Sequence, residues 1–213
     1  ALARQPEVMV SGIVSGQELE PLLAKPSVLI VGPGLGRSPW SEQLLQKAVG
    51  TGLPMVVDAD ALNIIAEGRV VSQPDGSNWV MTPHPAEAAR LLNISVAEVQ
   101  ADRFAAVRQL QEKYNAVVLL KGAGTLIAAP GDEIIALCPY GNPGMATGGM
   151  GDVLSGIIGA LLAQGLEAKL AAQLGCCLHS ATADMAVEEK GMRGLTATDL
   201  LAYLRKLLNG ELS

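Results

Sequence analysis

The chain has 213 residues, a length for one domain, and its 49% apolar and 17% charged composition excludes wholesale disorder because burial can offset chain entropy. Fifteen Lys plus Arg against 21 Asp plus Glu leave a net charge of −6, with two Trp, three Tyr and one Phe as all the aromatics, so neither a basic phosphate-tracking face nor a base-stacking platform argues for nucleic acid. No apolar run approaches the roughly 20 residues of a spanning helix, and no membrane partner is expected.

Short β-branched runs alternate with helical patterns along most of the chain. Residues 27–31 (SVLIV) predict a buried strand, followed by a glycine turn and a helix over 41–49. PMVV (54–57) predicts the next strand, with a short helix from Ala61. NWVM (78–81) gives a third, with Glu87 opening a helix behind it, and AVVLL (116–120) a fourth. Residues 125–129 and 133–137 read as a strand pair across Pro130, Gly131 and Asp132. Beyond the glycine-rich loop 141–151 helices dominate, over 152–163, 168–188 and 197–208, the last capped by Thr196 or Thr198. Continuous apolar strands between amphipathic helices indicate an α/β fold with a parallel sheet covered on both faces, here one domain over 1–213. Ligands of such sheets sit at the carboxyl ends of the strands.

Cys138, Cys176 and Cys177 are odd in number and two are adjacent in a helical segment, so they form no disulfide framework; with no secretory signal this favours a reducing cytoplasm. The histidines, His84 and His179, lie far from any Cys-x-x-Cys pair, which leaves no zinc-type spacing. The cysteines, the methionines and His179 read as core. The chain begins on Ala1 rather than Met, as a processed or engineered product or a piece of something longer would.

The loop GNPGMATGGMGD (141–152) carries the most chemistry. Gly144, Gly148, Gly149 and Gly151 run directly into an apolar helix, so bare backbone N–H groups and the positive helix end face one point, an anion site for nucleotide phosphates. A flexible loop with Asp152 as N-cap is the plainer alternative, with Asn142 at its start a secondary candidate. A carboxylate beside phosphate is repelled unless a cation or a proton transfer is involved, so a catalytic base explains Asp152 better than a cap alone. Lys121, Gly122, Ala123, Gly124 and Thr125 follow a strand and offer a charged donor, open backbone and a hydroxyl for phosphate or ribose, although a β-turn with a surface lysine has the same sequence. In GPGLG (32–36), Pro33 and the spacing break the dinucleotide pattern; close approach of Gly34 to a ligand and a structural tight turn remain equal alternatives. His84, between two prolines at a strand end, reads as an imidazole held out at the sheet edge. Asp58, Asp60 and Asn63 end another strand as possible metal or ribose contacts, with Asp60 alternatively the cap of the next helix.

Taken together, GPGLG, DADALN, TPHPAE, KGAGT and NPGMATGGMGD, in that order, closely resemble the ADP/ATP-dependent NAD(P)H-hydrate dehydratases. The resemblance implies a ribokinase-like three-layer αβα fold with a mostly parallel sheet. It implies a lyase activity in metabolite repair: hydrated NADH or NADPH is phosphorylated on its hydroxyl by ADP or ATP, and phosphate is eliminated to restore the dihydronicotinamide. By the same resemblance Asp152 is the base, Gly148, Gly149 and Gly151 the anion hole, and Lys121 to Thr125 with Gly151 the nucleotide contacts. Gly34, His84 and Asp152 then meet the hydrate, and Mg²⁺ is expected near Glu87. Many bacterial members are fused to an NAD(P)H-hydrate epimerase. Members carry one or two further βα units before this point, with a Pro-Gly-Ala segment that contacts the hydrate, so an amino-terminally incomplete domain is expected, whose exposed sheet edge invites a homo-oligomer. Two other readings remain: a kinase of the same superfamily acting on a hydroxymethylpyrimidine or thiazole alcohol, and a catalytically inert nucleotide-binding domain.

Overall fold

A computed structural model of the chain describes residues 7–71 and 75–210. In chain order the elements are α1 (Gly16–Leu19), β1 (Leu29–Val31), α2 (Pro39–Val49), β2 (Met55–Val57), α3 (Ala59–Glu67), β3 (Trp79–Met81), α4 (Pro85–Leu92), α5 (Val96–Ala101) and α6 (Arg103–Tyr114). Then follow β4 (Val117–Leu120), β5 (Thr125–Ala128), β6 (Ala136–Cys138), α7 (Met150–Ala163), α8 (Ala168–Lys190) and α9 (Leu200–Leu208). The strands lie in the sheet in the order of the chain; β1 to β4 are parallel, and β5 and β6 run antiparallel at one side.

Side chains alternate across a strand, and that alternation sorts the core into two layers. Met55, Val57, Trp79, Met81, Val118 and Leu120 pack with residues of α2, α3, α4 and α6 on one face. Val56, Val80, Val117, Leu119 and Ile127 pack with α7 and α8 on the other. Burial on both faces is why these strands show no polar alternation in the sequence. Each parallel strand is laid beside its predecessor in one direction, so crossovers of a single hand deliver all their helices to one face and leave the opposite face to α7 and α8. α9 closes on α8 through Leu200 and Tyr203 against Ala183 and Ala186. The three-layer αβα arrangement and the mostly parallel sheet are those expected.

Several boundaries differ from the sequence reading, each for a local reason. α3 begins at Ala59 because Asp58, not Asp60, is its cap, with Oδ1 accepting the Ala59 N–H at 2.8 Å. Gly149, not Asp152, is the N-cap of α7. Thr196 rather than Thr198 makes the capping box with Asp199, and it opens a 3₁₀ turn (Ala197–Asp199) that leads into α9. The last strand is Ala136–Cys138 rather than 133–137. Its intended first residues are diverted: Arg108 donates to the carbonyls of Asp132 and Glu133, and the Ile134 N–H donates to Asp132 Oδ1, which takes those backbone groups from the ladder.

β1 is an outer strand of the described sheet. Ile30 on it is 44% exposed, and an apolar hollow of about 240 Å³ lined by Leu19, Leu23, Leu29, Leu35 and Leu44 runs alongside.

Candidate active site

The carboxyl ends of β1 to β4 lie side by side, each stitched to the next by one backbone bond. Asp58 N donates to Val31 O at 3.1 Å, Thr82 N to Val57 O at 3.1 Å, and Lys121 N to Pro83 O at 2.9 Å. GPGLG, DADALN, TPHPAE and KGAGT therefore meet at one edge. Gly32 has φ +125°, and a Cβ there would stand 1.7 Å from the Asp58 carbonyl oxygen. Only glycine lets these two strand ends approach. Gly34, next but one, is exposed with nothing within 4 Å of a Cβ position, so it is open to a ligand. Gly36 N donates to Asp60 Oδ2 at 2.8 Å, and Asn63 donates to Ala59 O and accepts from Arg90. Asp60 and Asn63 thus brace the loop after β1 and the start of α3.

Asp58 is 1% exposed and is the hub of this edge. Its Oδ1 accepts from Lys121 Nζ at 2.9 Å as well as from Ala59 N, and its Oδ2 accepts from Ser155 Oγ at 2.8 Å. One carboxylate thereby joins the ends of β2 and β4 to the second turn of α7. Lys121 Nζ also lies 3.9 Å from Glu87 Oε2. Lys121 is mostly turned inward to these carboxylates and is not the free surface lysine of a β-turn.

His84 caps α4. Its Nδ1 accepts from Ala86 N at 3.1 Å and Glu87 N at 3.3 Å, while Glu87 Oε2 accepts from His84 N at 2.8 Å. Acceptance at Nδ1 assigns the proton to Nε2, which sits 3.3 Å from Glu87 Oε1. Partial burial, with the Lys121 and Arg90 charges, holds the imidazole below its usual pKa, so it is neutral at pH 7. Burial pushes the Glu87 carboxyl up, against the pull of Lys121. The ring stays about half exposed at the sheet edge, where the sequence put it.

After β4, Arg103 from the start of α6 reaches under the KGAGT loop. It donates to Ala123 O at 2.6 Å and Leu120 O at 3.3 Å, and its guanidinium fills the space beside Gly122, where a Cβ would stand 2.8 Å from it. Thr125 Oγ1 donates to Gly122 O at 3.1 Å, which closes the turn. Gly124 has φ +65° and faces Leu137.

The loop 141–149 is fastened from α8. Asp184 accepts from Gly141 N and from Asn142 Nδ2, both at 2.8 Å, and Asn142 Oδ1 accepts from Gly144 N at 3.0 Å. Asn142 is therefore a fastener of the loop. Gly148 stands in open space, and Gly149 turns left-handed at φ +86° into α7. Unlike α2, α3 and α4, α7 has no side-chain cap, so the N–H groups of its first turn keep no side-chain acceptor. A Cβ on Gly151 would lie 3.3 Å from Lys121 Nζ. Asp152 is exposed in that first turn, and its carboxylate makes no hydrogen bond or ion pair among the described residues. An uncapped helix end and a fixed ammonium thus meet at the strand ends, with an exposed carboxylate in the same helical turn, a combination able to hold an anion and accept a proton.

His179 lies buried in α8, as expected of a core residue, and its Nε2 finds no partner among the described residues. Burial pushes its pKa down to about 4, and the Lys121 charge adds to the effect. The unfolded chain takes up that proton near 6.5, so the neutral ring contributes stability that is complete above that pH and lost as pH falls toward 4. Between pH 7 and 4.5 the protein should lose roughly 2–3 kcal/mol more than His179→Gln does, read as the difference in urea midpoints. Equal losses would mean that the ring is not held neutral.

A mostly parallel sheet with α-helical layers on both faces, and a glycine loop that feeds an uncapped apolar helix at the strand ends, define a ribokinase-like α/β protein. A family model for NAD(P)H-hydrate dehydratase matches residues 1–206, and the chain belongs to that family. It is 54% identical over 207 residues to the bifunctional NAD(P)H-hydrate repair enzyme Nnr of Coxiella burnetii, covering 96% of this chain and 41% of that protein. It is 47% identical over 186 residues to the ADP-dependent (S)-NAD(P)H-hydrate dehydratase of Neisseria meningitidis, covering 84% of this chain and 62% of that one. The chain therefore spans less than two thirds of either relative. The crystal structure of the ADP/ATP-dependent NAD(P)H-hydrate dehydratase of Bacillus subtilis, co-crystallized with ATP/Mg²⁺, superposes with a TM-score of 0.75 at 27% identity, over 86% of this chain and 64% of that one.

Proposed function

We propose that this chain performs nucleotide-dependent dehydration of NAD(P)H hydrate as the dehydratase part of a repair enzyme. The observation that carries the reading is the uncapped first turn of α7 behind Gly148 and Gly149, with Asp152 standing in it. Asp152 takes the hydroxyl proton of the hydrate as that oxygen bonds to the terminal phosphorus of ADP or ATP, and the P–O bond to the shortened nucleotide breaks. The C–O bond of the phosphate ester then breaks, phosphate leaves, and loss of a proton from the adjacent ring carbon restores the dihydronicotinamide. The first N–H groups of α7, with Gly148, Gly149 and Gly151, receive the transferred phosphoryl group. Lys121 to Thr125 hold the nucleotide, and Gly34 and the neutral, half-exposed His84 contact the hydrate.

Mg²⁺ belongs in this reading as a companion of the nucleotide phosphates, which it would neutralise. It does not fit beside Glu87, whose oxygens and those of Asp58 are engaged by the chain's own donors. The three free thiols suit a reducing cytoplasm, and the exposed β1 edge suits a homo-oligomer, which sedimentation would read directly. The Coxiella relative is named a bifunctional repair enzyme, and fusion to an NAD(P)H-hydrate epimerase is proposed for this chain from the family resemblance.

The test is incubation with hydrated NADH, ADP or ATP, and Mg²⁺. Nucleotide-dependent return of the near-ultraviolet absorbance of NADH is expected, whereas a stable phosphorylated alcohol with no such return would make the chain a small-molecule kinase of the same superfamily. The second reading, an inert nucleotide-binding domain, predicts nucleotide binding with no turnover. Arg103→Ala should weaken ADP binding about tenfold by calorimetry, because two charged hydrogen bonds that shape the KGAGT loop are lost. Unchanged affinity would detach that loop from the nucleotide.

A further inference from the structure

The two buried carboxylates at the strand ends have opposite origins and one shared neighbour. Asp58 ends β2, Glu87 stands in the first turn of α4, and the Lys121 ammonium from the end of β4 lies 2.9 Å from Asp58 Oδ1 and 3.9 Å from Glu87 Oε2. The remaining acceptors are taken. Asp58 Oδ2 receives Ser155 Oγ, and Glu87 Oε2 receives His84 N, with His84 Nε2 at 3.3 Å from Oε1. Two carboxylates converging on one point are hard-cation ligands, for which Mg²⁺ or Mn²⁺ would ordinarily compete.

Charge and space both favour the ammonium. Arg90 adds a second positive charge near Glu87 and His84, so a divalent ion placed beside Lys121 would meet repulsion rather than an unbalanced acidic pair. The first turn of α7 closes the other side. A Cβ on Gly151 would lie 3.3 Å from Lys121 Nζ and 3.5 Å from Asp58 Oδ2, so the helix backbone confines the side of the pair that a hydrated divalent ion would have to share.

We propose that Lys121 is the built-in cation of the Asp58–Glu87 pair, standing where a divalent metal would otherwise bind, so that this pair takes no metal in the native protein. A fixed positive charge under the anion loop is then present before any nucleotide arrives, and divalent metal enters with the nucleotide alone. That the pair borders a phosphoryl-transfer site rests on the function proposed above; its occupation by lysine does not.

Mn²⁺ without nucleotide is the probe, followed by the electron paramagnetic resonance signal of the free ion. The native chain and Glu87→Gln should leave the signal alike. Lys121→Met should take up one equivalent with a dissociation constant of about millimolar or tighter, a range that oxygen-ligated sites reach. Adding Glu87→Gln to Lys121→Met should release it. Uptake by the native chain that Glu87→Gln abolishes would overturn the proposal, as would a folded Lys121→Met that takes up nothing. Lys121→Gln, which keeps a donor toward Asp58 without the charge, replaces Lys121→Met if that variant does not fold, and the native comparison decides independently of both. Because the readout needs neither hydrate nor turnover, failure of the repair assay and failure of this proposal are separate results.

Discussion

Asp152→Asn should lower the rate of NADH recovery from its hydrate by ~10²–10⁴-fold, the usual worth of a positioned general base. That is roughly 3–5 kcal/mol of barrier. Asparagine keeps the size and the place in the first turn of α7 but cannot accept the hydroxyl proton. Nothing in the fold leans on this side chain, since it is exposed and its carboxylate is unbonded among the described residues, so the melting temperature should stay close to native. Nucleotide affinity should rise slightly, because a negative charge beside phosphate is removed. The loss should therefore fall on turnover and not on binding. A variant that retains more than about a tenth of native turnover would remove Asp152 from the role of base, and a variant that also lost nucleotide binding would point to a collapsed loop instead.

The motifs were legible because their chemistry is local. A short apolar strand that stops at glycine, proline or aspartate marks a sheet edge, and GPGLG, DADALN, TPHPAE and KGAGT each follow such a stop. The helical layers over 41–49, 152–163 and 168–188 follow from periodicity; the first two begin two residues earlier in the structure and the third ends two residues later. What stayed hidden was the set of residues that hold the motifs together. Ser155 reaches Asp58 across 97 positions, Asp184 reaches Gly141 across 43, and Arg103 reaches Ala123 across 20. Serine in an apolar helix, aspartate on a helix and arginine at a helix start are ordinary there, and no spacing rule marks them. The same blindness exchanged Asp58 with Asp60. Two acidic residues one apart cannot be ranked as cap and clamp until Gly32 is seen to bring β1 against the Asp58 carbonyl.

Asp58→Ala should be the most damaging single substitution for stability at this edge, at ~3–5 kcal/mol, because it leaves the Lys121 ammonium in a mostly buried place without its nearest counter-charge. The cap of α3 and the Ser155 bond go with it, which adds about 1 kcal/mol for the cap alone. Against a domain stability of about 5–15 kcal/mol, that is a large share. Asp58→Asn keeps one acceptor oxygen for Ala59 N and presents an amide N–H that the Ser155 hydroxyl oxygen can accept, so it should cost about 1–3 kcal/mol. The decisive comparison is the double variant Asp58→Ala with Lys121→Met. If the penalty arises from an uncompensated charge, removing both partners should restore part of the stability, so urea unfolding of the four proteins gives a coupling energy of opposite sign to the single losses. Additive losses would mean that packing and the α3 cap, rather than the Lys121 charge, make Asp58 necessary. Recovery in the double variant would place the ion pair at the centre of this edge, with Glu87 the carboxylate left beside position 121.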